Sequence, residues 1–308
     1  DFGFLKSRIT GSVELYQRVI SDLLNYKPLN TYQEAKQVMA NIGKTQSRGI
    51  EVTLNTRNIV TKDFFWETSL TYTKYKDRWK ERTPDWKPNV YEKETDPIRA
   101  IYSRRADHIM QIGEEAPTAQ PDLRPGQIVI RDLDGYVRDE NGNPKVDENG
   151  RFMLLGRPDG IIDEADTELI GTLDPGWMAS MTNTFKYKGF DLNIMFNGMF
   201  DRIMQDPTEM DFGVNGGGIA QSGYNMLRTI KDRWTFDNPS TTRPSSYYIT
   251  GTNYTAGDFF YQKAWFIRLQ NISLGYTLPK SLLAKTKVLS NVRFHASVNN
   301  LFVITPYK

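Results

Sequence analysis

Phe190-Asp191-Leu192-Asn193-Ile194-Met195-Phe196-Asn197 is the stretch that decides the fold. In an extended chain Phe190, Leu192, Ile194 and Phe196 fall on one side, while Asp191, Asn193 and Asn197 fall on the other. The same alternation runs through 177–187, and Lys188-Gly189 between the two segments has the composition of a tight hairpin turn. Each segment is about ten residues long, the length a tilted strand needs to cross a bilayer.

Working outward, the pattern recurs. Ile9, Val13, Leu15 and Val19 oppose Arg8, Thr10, Ser12, Glu14 and Arg18. Ile50, Val52 and Leu54 alternate with Glu51, Thr53, Asn55 and Arg57; Trp66, Leu70 and Tyr72 alternate with Glu67, Ser69, Thr71 and Thr73. The last such segment sets Val292, Phe294, Ala296 and Val298 against Arg293, His295, Ser297 and Asn299. Aromatics near the ends of an apolar face suit a membrane interface. Between Trp265 and Tyr276 the phase slips, which predicts a β-bulge near Gln270 and Asn271.

The connections alternate in length. Short ones are expected at Leu5 to Arg8, Asn58 to Lys62, Lys188-Gly189 and Pro279 to Ser290; long ones at Ser21 to Gln46, Arg78 to about Pro175 and Asp201 to about Gln262. Strands that run up and down put successive connections at opposite ends, so short turns gather on one side and long loops on the other, as in outer-membrane barrels. Short helical pieces are expected at Gly223 to Trp234 and Lys280 to Lys285. A soluble all-β protein also alternates and also varies its loops, and stays open at this point.

Composition narrows the classes. Of 308 residues, 39 are Lys or Arg and 37 are Asp or Glu, a formal charge of +2 that gives no electrostatic reason to expect nucleic acid. The absence of cysteine excludes disulfides, thiolate metal sites and a cysteine nucleophile within this stretch. No run approaches the roughly 18 apolar residues of a spanning helix, so membrane contact would be made by strands. The chain opens at Asp1 without methionine or a signal-like segment, which reads as a fragment.

Five stretches carry a resemblance. They are Asp1 to Leu5 with Arg8-Ile9-Thr10-Gly11-Ser12-Val13 and Asp22-Leu23-Leu24; Ser47-Arg48-Gly49-Ile50-Glu51-Val52 with Phe65-Trp66-Glu67; Phe185 to Leu192; Asn271 to Lys280; and Asn299-Asn300-Leu301-Phe302-Val303-Ile304-Thr305-Pro306-Tyr307. In that order the chain resembles the SusC/RagA family of TonB-dependent transporters over essentially its whole length. The resemblance implies an all-β, antiparallel up-and-down transmembrane β-barrel of about 22 strands with a plugged lumen. Residues 1–308 would be a C-terminal part with about eight strands and long extracellular loops, the plug, energy-coupling segment and last strands lying outside. It further implies a bacterial outer-membrane location, a SusD-like surface lipoprotein and TonB as partners, outer-membrane lipid around the wall, and import of an oligosaccharide or, alternatively, an oligopeptide. A surface adhesin barrel without transport is a rival, and no enzyme activity is expected.

The sharpest local chemistry is acidic. Asp132-Leu133-Asp134-Gly135 and Asp159-Gly160-Ile161-Ile162-Asp163-Glu164-Ala165-Asp166, joined directly, have the spacing of a calcium loop of the EF-hand type. The resemblance implies such a loop without interruption, whereas here residues 136–158 intervene, with turn-rich Asp139-Glu140-Asn141-Gly142-Asn143-Pro144 and Asp147-Glu148-Asn149-Gly150. The expectation is an extruded hairpin within a 132–166 unit. Ca2+ would then be held by Asp132, Asp134, Asp159, the Ile161 carbonyl, Asp163 through water, and Asp166. The alternative is a solvated loop whose aspartates cap turns.

Trp79, Trp86 and Tyr91 lie in an expected long outward loop and offer flat faces to a sugar ring or a partner protein; interfacial anchoring is the plainer reading. His108 and His295 sit in no nucleophile or metal motif, and His295 falls on the polar strand face. Gly216-Gly217-Gly218 lacks the lysine-serine of a phosphate cradle and reads as a loop tip.

Overall fold

Eight strands of the computed structural model form one antiparallel sheet whose order is the order of the sequence. They are β1 (Phe2–Phe4), β2 (Ile9–Ile20), β3 (Lys44–Val60), β4 (Phe64–Glu81), β5 (Trp177–Tyr187), β6 (Phe190–Phe200), β7 (Phe266–Thr277) and β8 (Arg293–Ile304). Every neighbour is the next strand in the chain, the up-and-down pattern of a barrel wall. The structure describes all residues except 30, 31, 33, 34, 84, 85, 149, 215–222, 247–255, 286, 287 and 308, so the Gly216-Gly217-Gly218 tip lies outside the described residues. The chain divides into a wall unit (Asp1–Pro84, Asp174–Arg202, Lys263–Lys308) and a loop unit (Asp85–Leu173, Ile203–Gln262).

Register shows why the alternation matters. Phe196 on β6 stands opposite Met181 on β5 and Leu269 on β7; Met181 in turn faces Leu70, Leu70 faces Leu54, and Leu269 faces Phe302. One face of the sheet is therefore apolar from strand to strand, and its side chains are bare: Val13, Leu15, Leu274, Phe294 and Val298 are all exposed. In water each such position would forgo roughly 1.5–3 kcal/mol of burial. The face makes sense only against lipid. Rings border it at both ends. Phe190 stacks on Tyr276 at one end, and Trp177 stacks on Phe200 with centroids 3.8 Å apart at the other, with Tyr72 beside Trp177. A polar interruption at Asn183 is satisfied in place, its amide oxygen accepting from Trp66 Nε1 (3.0 Å) and Thr68 Oγ1 (2.7 Å).

The opposite face is wet and hydrogen-bonds across strands. Thr71 and Ser180 hydroxyls lie 2.6 Å apart, Asn193 donates to Thr184 (3.1 Å), Asn271 to Asn299 (2.7 Å), and Arg293 pairs with Asp191 (2.6 Å). His295 is on this face, opposite Gly275.

The bulge forms where the phase slips. Against β6 the register passes from Met195–Asn271 to Phe196–Leu269, leaving Gln270 as the extra residue; against β8 it passes from Asn271–Asn299 to Leu269–Phe302, so there the extra residue lies on β8. The β5–β6 turn is two residues long. Lys188 (φ 43°) and Gly189 (φ 92°) both take the left-handed conformation that matches the twist of a hairpin.

Several boundaries differ from expectation. β3 begins at Lys44 and β4 runs to Glu81, so Trp79 belongs to a wall strand, not a loop. Lys44, Arg78 and Lys80 fall in the expected loops, yet pairing across β3 and β4 satisfies the backbone through this stretch. The expected helix at Gly223 to Trp234 is only a 3-10 turn at Arg228–Asp232, and that at Lys280 to Lys285 a single turn, α1, at Lys280–Leu283.

The loop unit has a core of its own. Ile128, Ile130, Val214 and Phe260 are buried together, with Ala106, Ile162, Met210 and Phe259 against them. Short strand pairs support it: Ala100–Arg104 with Thr167–Thr172, and Ala106–Ile109 with Ile128–Ile130. Among the described residues, all the buried large apolar side chains except Leu269 and Leu283 belong to this unit.

Candidate functional site

The two acidic halves meet in the loop unit. The Asp132 carboxylate accepts the backbone N–H of Gly160 (2.7 Å) and of Asp159 (3.3 Å), which ties the first half to the second. Asp166 is fully buried and does the same in reverse. Its Oδ1 accepts from Leu133 (2.7 Å) and Asp134 (3.3 Å), and its Oδ2 from Asp163 (2.8 Å). Burial, the largest influence, pushes the Asp166 carboxyl above the usual carboxylate range even though three N–H donors pull the other way. Asp163 caps the 3-10 turn Glu164–Asp166 through Ala165 N–H (2.8 Å). Gly135 is required by close approach, because a Cβ there would sit 2.4 Å from the Cβ of Asp159.

The insertion is more than one hairpin. Two tight turns, Asp139 to Asn143 and Asp147 to Arg151, fold it into three short bridged stretches: Tyr136 opposite Leu154, Arg138 opposite Pro144, Val146 opposite Phe152. Its ends close on the first acidic half, Leu155 donating to the Gly135 carbonyl (2.8 Å) and Gly156 to Asp134 Oδ1 (2.7 Å). Tyr136 is buried, and burial followed by the charges of Asp163 and Glu164 pushes its phenol up to about 12.

From this insertion Arg138 reaches back over the loop. Its Nη2 lies 3.3 Å from Asp163 Oδ2 and 3.9 Å from Asp159 Oδ2. A guanidinium thus faces two carboxylates of the expected calcium set, and the Asp159 Oδ1 is taken by Ile161 N–H (3.0 Å). Among the described residues no group of three or more His, Cys, Asp or Glu is arranged to hold a metal ion. In this arrangement the oxygens fit N–H donors and a guanidinium, not a calcium cage of six to eight ligands.

The three aromatics do not form one cluster. Trp79 is in the wall, under the Arg82 guanidinium (5.2 Å). Trp86 is half-buried in the loop unit. Tyr91 packs on Tyr102, ring centroids 5.1 Å apart, beside a cavity of ≈ 390 Å³ that Arg104, Glu164 and Thr167 also line. The Tyr102 hydroxyl donates to Asp96 (2.7 Å), and Asn89 donates to the Tyr91 oxygen (3.0 Å). Sequence reading missed Tyr102, Arg104 and Arg138. No spacing rule brings them to Tyr91 or to the aspartates; the pairing of Ala100–Arg104 with Thr167–Thr172 places Tyr102 and Arg104, and the bridges within 136–154 place Arg138.

His108 lies between Asp107 (2.8 Å to Nδ1) and Glu114 (3.2 Å to Nε2) on the surface of the loop unit. The hydrogen bond that its ring donates to Asp107, then the one to Glu114, raises the His108 pKa above the usual histidine value against partial burial.

A sheet with one face for lipid, one for water, and large ordered insertions at the loop end is a segment of a transmembrane β-barrel. Relatives extend this. The chain is 28% identical to the TonB-dependent receptor SusC of Bacteroides thetaiotaomicron and 26% identical to TonB-dependent receptor P3 of Formosa agariphila, matching over its whole length in both. It spans 28% and 29% of those proteins. Its fold matches a structure of the RagAB peptide transporter with a TM-score of 0.70 at 20% identity, covering 99% of this chain and 31% of that one. No family model matches. Over its whole length the chain is similar to TonB-dependent receptors of the SusC kind, and its sheet has the fold of part of a barrel wall.

Proposed function

We propose that this chain forms part of the wall and outer loops of a TonB-dependent importer that carries an oligosaccharide across the outer membrane, with a SusD-like lipoprotein over its loops. The observation that carries the reading is the two-sided sheet. Lipid-ready side chains stand bare on one face, and hydroxyls, amides and ion pairs line the other. A wall of this kind encloses a polar passage and has no use for an apolar core. The loop unit supplies the bulk that a lid would dock on, and the Tyr91 and Tyr102 rings beside polar groups suit a sugar face.

The test is uptake by the whole receptor in its own cell. Energy-dependent uptake that disappears when the inner-membrane TonB complex is deleted supports import; indifference to that deletion supports an adhesin. Growth on defined glycans and on defined peptides separates the two substrate classes. An importer that passes peptides and no glycan would move the substrate reading to that of the RagAB relatives while leaving transport intact.

A further inference from the structure

β3 and β4 extend well past the lipid band, being 17 and 18 residues long where β5 to β8 have 11 or 12. Their extension leaves the end of the sheet where the long connections 21–43 and 82–176 begin and end, the outer end of such a barrel. Lys74 lies as far along β4 from the inner ring of Phe64 as Phe200 lies along β6 from that of Phe190, so it marks the outer edge of the apolar band. It stands outward of Tyr72 and level with Trp177, since Met178 faces Thr73.

Above that edge the outward row changes character. The face that carries Leu54, Val52 and Ile50 continues through Arg48, and the face that carries Leu70 and Tyr72 continues through Lys74, Lys76 and Arg78. Pairing sets Lys74 beside Ile50, Lys76 beside Arg48 and Arg78 beside Gln46, so the four cations form one patch across two strands. The carboxylates of this region lie elsewhere. Glu14, Glu51 and Asp77 are on the wet face by register, and Glu81 is engaged by Lys44 (2.5 Å). Arg48 donates to the neutral Gln17 amide (2.8 Å) and Arg78 to the Asp77 carbonyl (2.7 Å), which orients both guanidiniums without cancelling their charge. Among the described residues neither Lys74 nor Lys76 has an ion-pair partner, and both are exposed.

We propose that Arg48, Lys74, Lys76 and Arg78 form a binding site for the phosphorylated headgroup of an outer-leaflet glycolipid. The argument is charge and depth together. Cations that merely anchor a strand need no partner and occur singly at an interface, whereas four on one acid-free face, at headgroup level, match a phosphate-bearing lipid whose chains lie along the apolar row below. Two guanidiniums add the forked geometry that suits phosphate, and the lysines add point charge.

The inference rests on the outer-membrane reading of the wall, and the experiment separates the two. The complete receptor, purified in a mild non-ionic detergent, is titrated with diphosphorylated lipid A in micelles, with its dephosphorylated form, and with inorganic phosphate, reading bound lipid by native mass spectrometry. The wild type should take up the diphosphorylated lipid preferentially, and Lys74→Gln with Lys76→Gln should weaken that binding by about tenfold. Heat-modifiable gel mobility should be unchanged, since both side chains are exposed on the outward face and pack into no core. Equal binding of the dephosphorylated lipid, full competition by inorganic phosphate, or a double variant that binds as the wild type does would each overturn the lipid site and leave the barrel standing. A preparation with no heat-modifiable barrel would instead remove the membrane reading on which it rests.

Discussion

Asp166 holds both acidic halves through three backbone N–H groups while fully buried, so its loss leaves donors without an acceptor. Asp166→Ala should cost the loop unit about 2–4 kcal/mol, since each orphaned buried donor costs roughly 1–3 kcal/mol and neighbours relax in part; amide exchange at Leu133 and Asp134 reads it directly. Arg138 sets up a second outcome. If the guanidinium serves as the loop's cation, calorimetric calcium titration of the whole receptor gives the same trace for wild type and Asp132→Ala, and Arg138→Met loosens the loop. A calcium heat present in wild type and lost in Asp132→Ala would instead restore the ion expected from the spacing. His108 gives the pH dependence. Its folded pKa is raised by Asp107 first and Glu114 next, so its contribution is fully present below the unfolded value of about 6.5 and is lost as pH rises through the higher folded value. Because the site is largely exposed, the effect is small. The melting temperature of the wild type should exceed that of His108→Gln in mild acid, and the gap should close on the alkaline side. A gap that widened with pH would contradict the two ion pairs.

At the scale of the strand, the strongest consequence of period two is that adjacent residues meet opposite solvents. Ile272 faces lipid opposite Ile194 and Val298, while Ser273, the next residue, faces water between Asn193 and Ser297. Ile272→Arg should destabilise the barrel by about 2–4 kcal/mol, the range for a cation near the bilayer midplane, and Ser273→Arg by far less. Heat-modifiable mobility across a denaturant series compares them, and equal losses would mean the faces are misassigned. This alternation was legible from the sequence because it is local: each side chain's direction follows from its neighbour's. The bulge at Gln270 was legible for the same reason, as a slip in phase. The outer ends of β3 and β4 were not. Lys44, Arg78 and Lys80 interrupt the apolar row, and polarity alone cannot distinguish a loop from a strand that has left the membrane. The acidic halves were readable as a pair, yet what joins them depends on Arg138 and Tyr136, whose places are set by pairings within 136–154 that no periodicity announces.

Over the whole molecule, apolar burial and membrane exposure are divided between two units. The loop unit keeps Ile128, Ile130, Val214 and Phe260 from water by packing, whereas the wall leaves Val13, Leu15, Phe294 and Val298 bare and depends on lipid for the same free energy. That division makes the wall testable by chemistry instead of by stability. The stretch contains no cysteine, so single cysteines can be placed along β6 without removing one from it first. In native outer membranes, cysteine at Asn193 should react with a membrane-impermeant maleimide admitted to the lumen side, while cysteine at Ile194 should resist it and react with a lipid-soluble one. Leu192 and Phe196 should follow Ile194, and Asp191 should follow Asn193, because the register with β5 and β7 keeps each set on its own face throughout the strand. Reactivity that failed to alternate, or an Ile194 position shielded from both reagents, would mean that protein and not lipid covers the apolar face. The barrel reading could not survive that result, since nothing else in the fold accounts for so many uncovered large apolar side chains in register from β2 to β8.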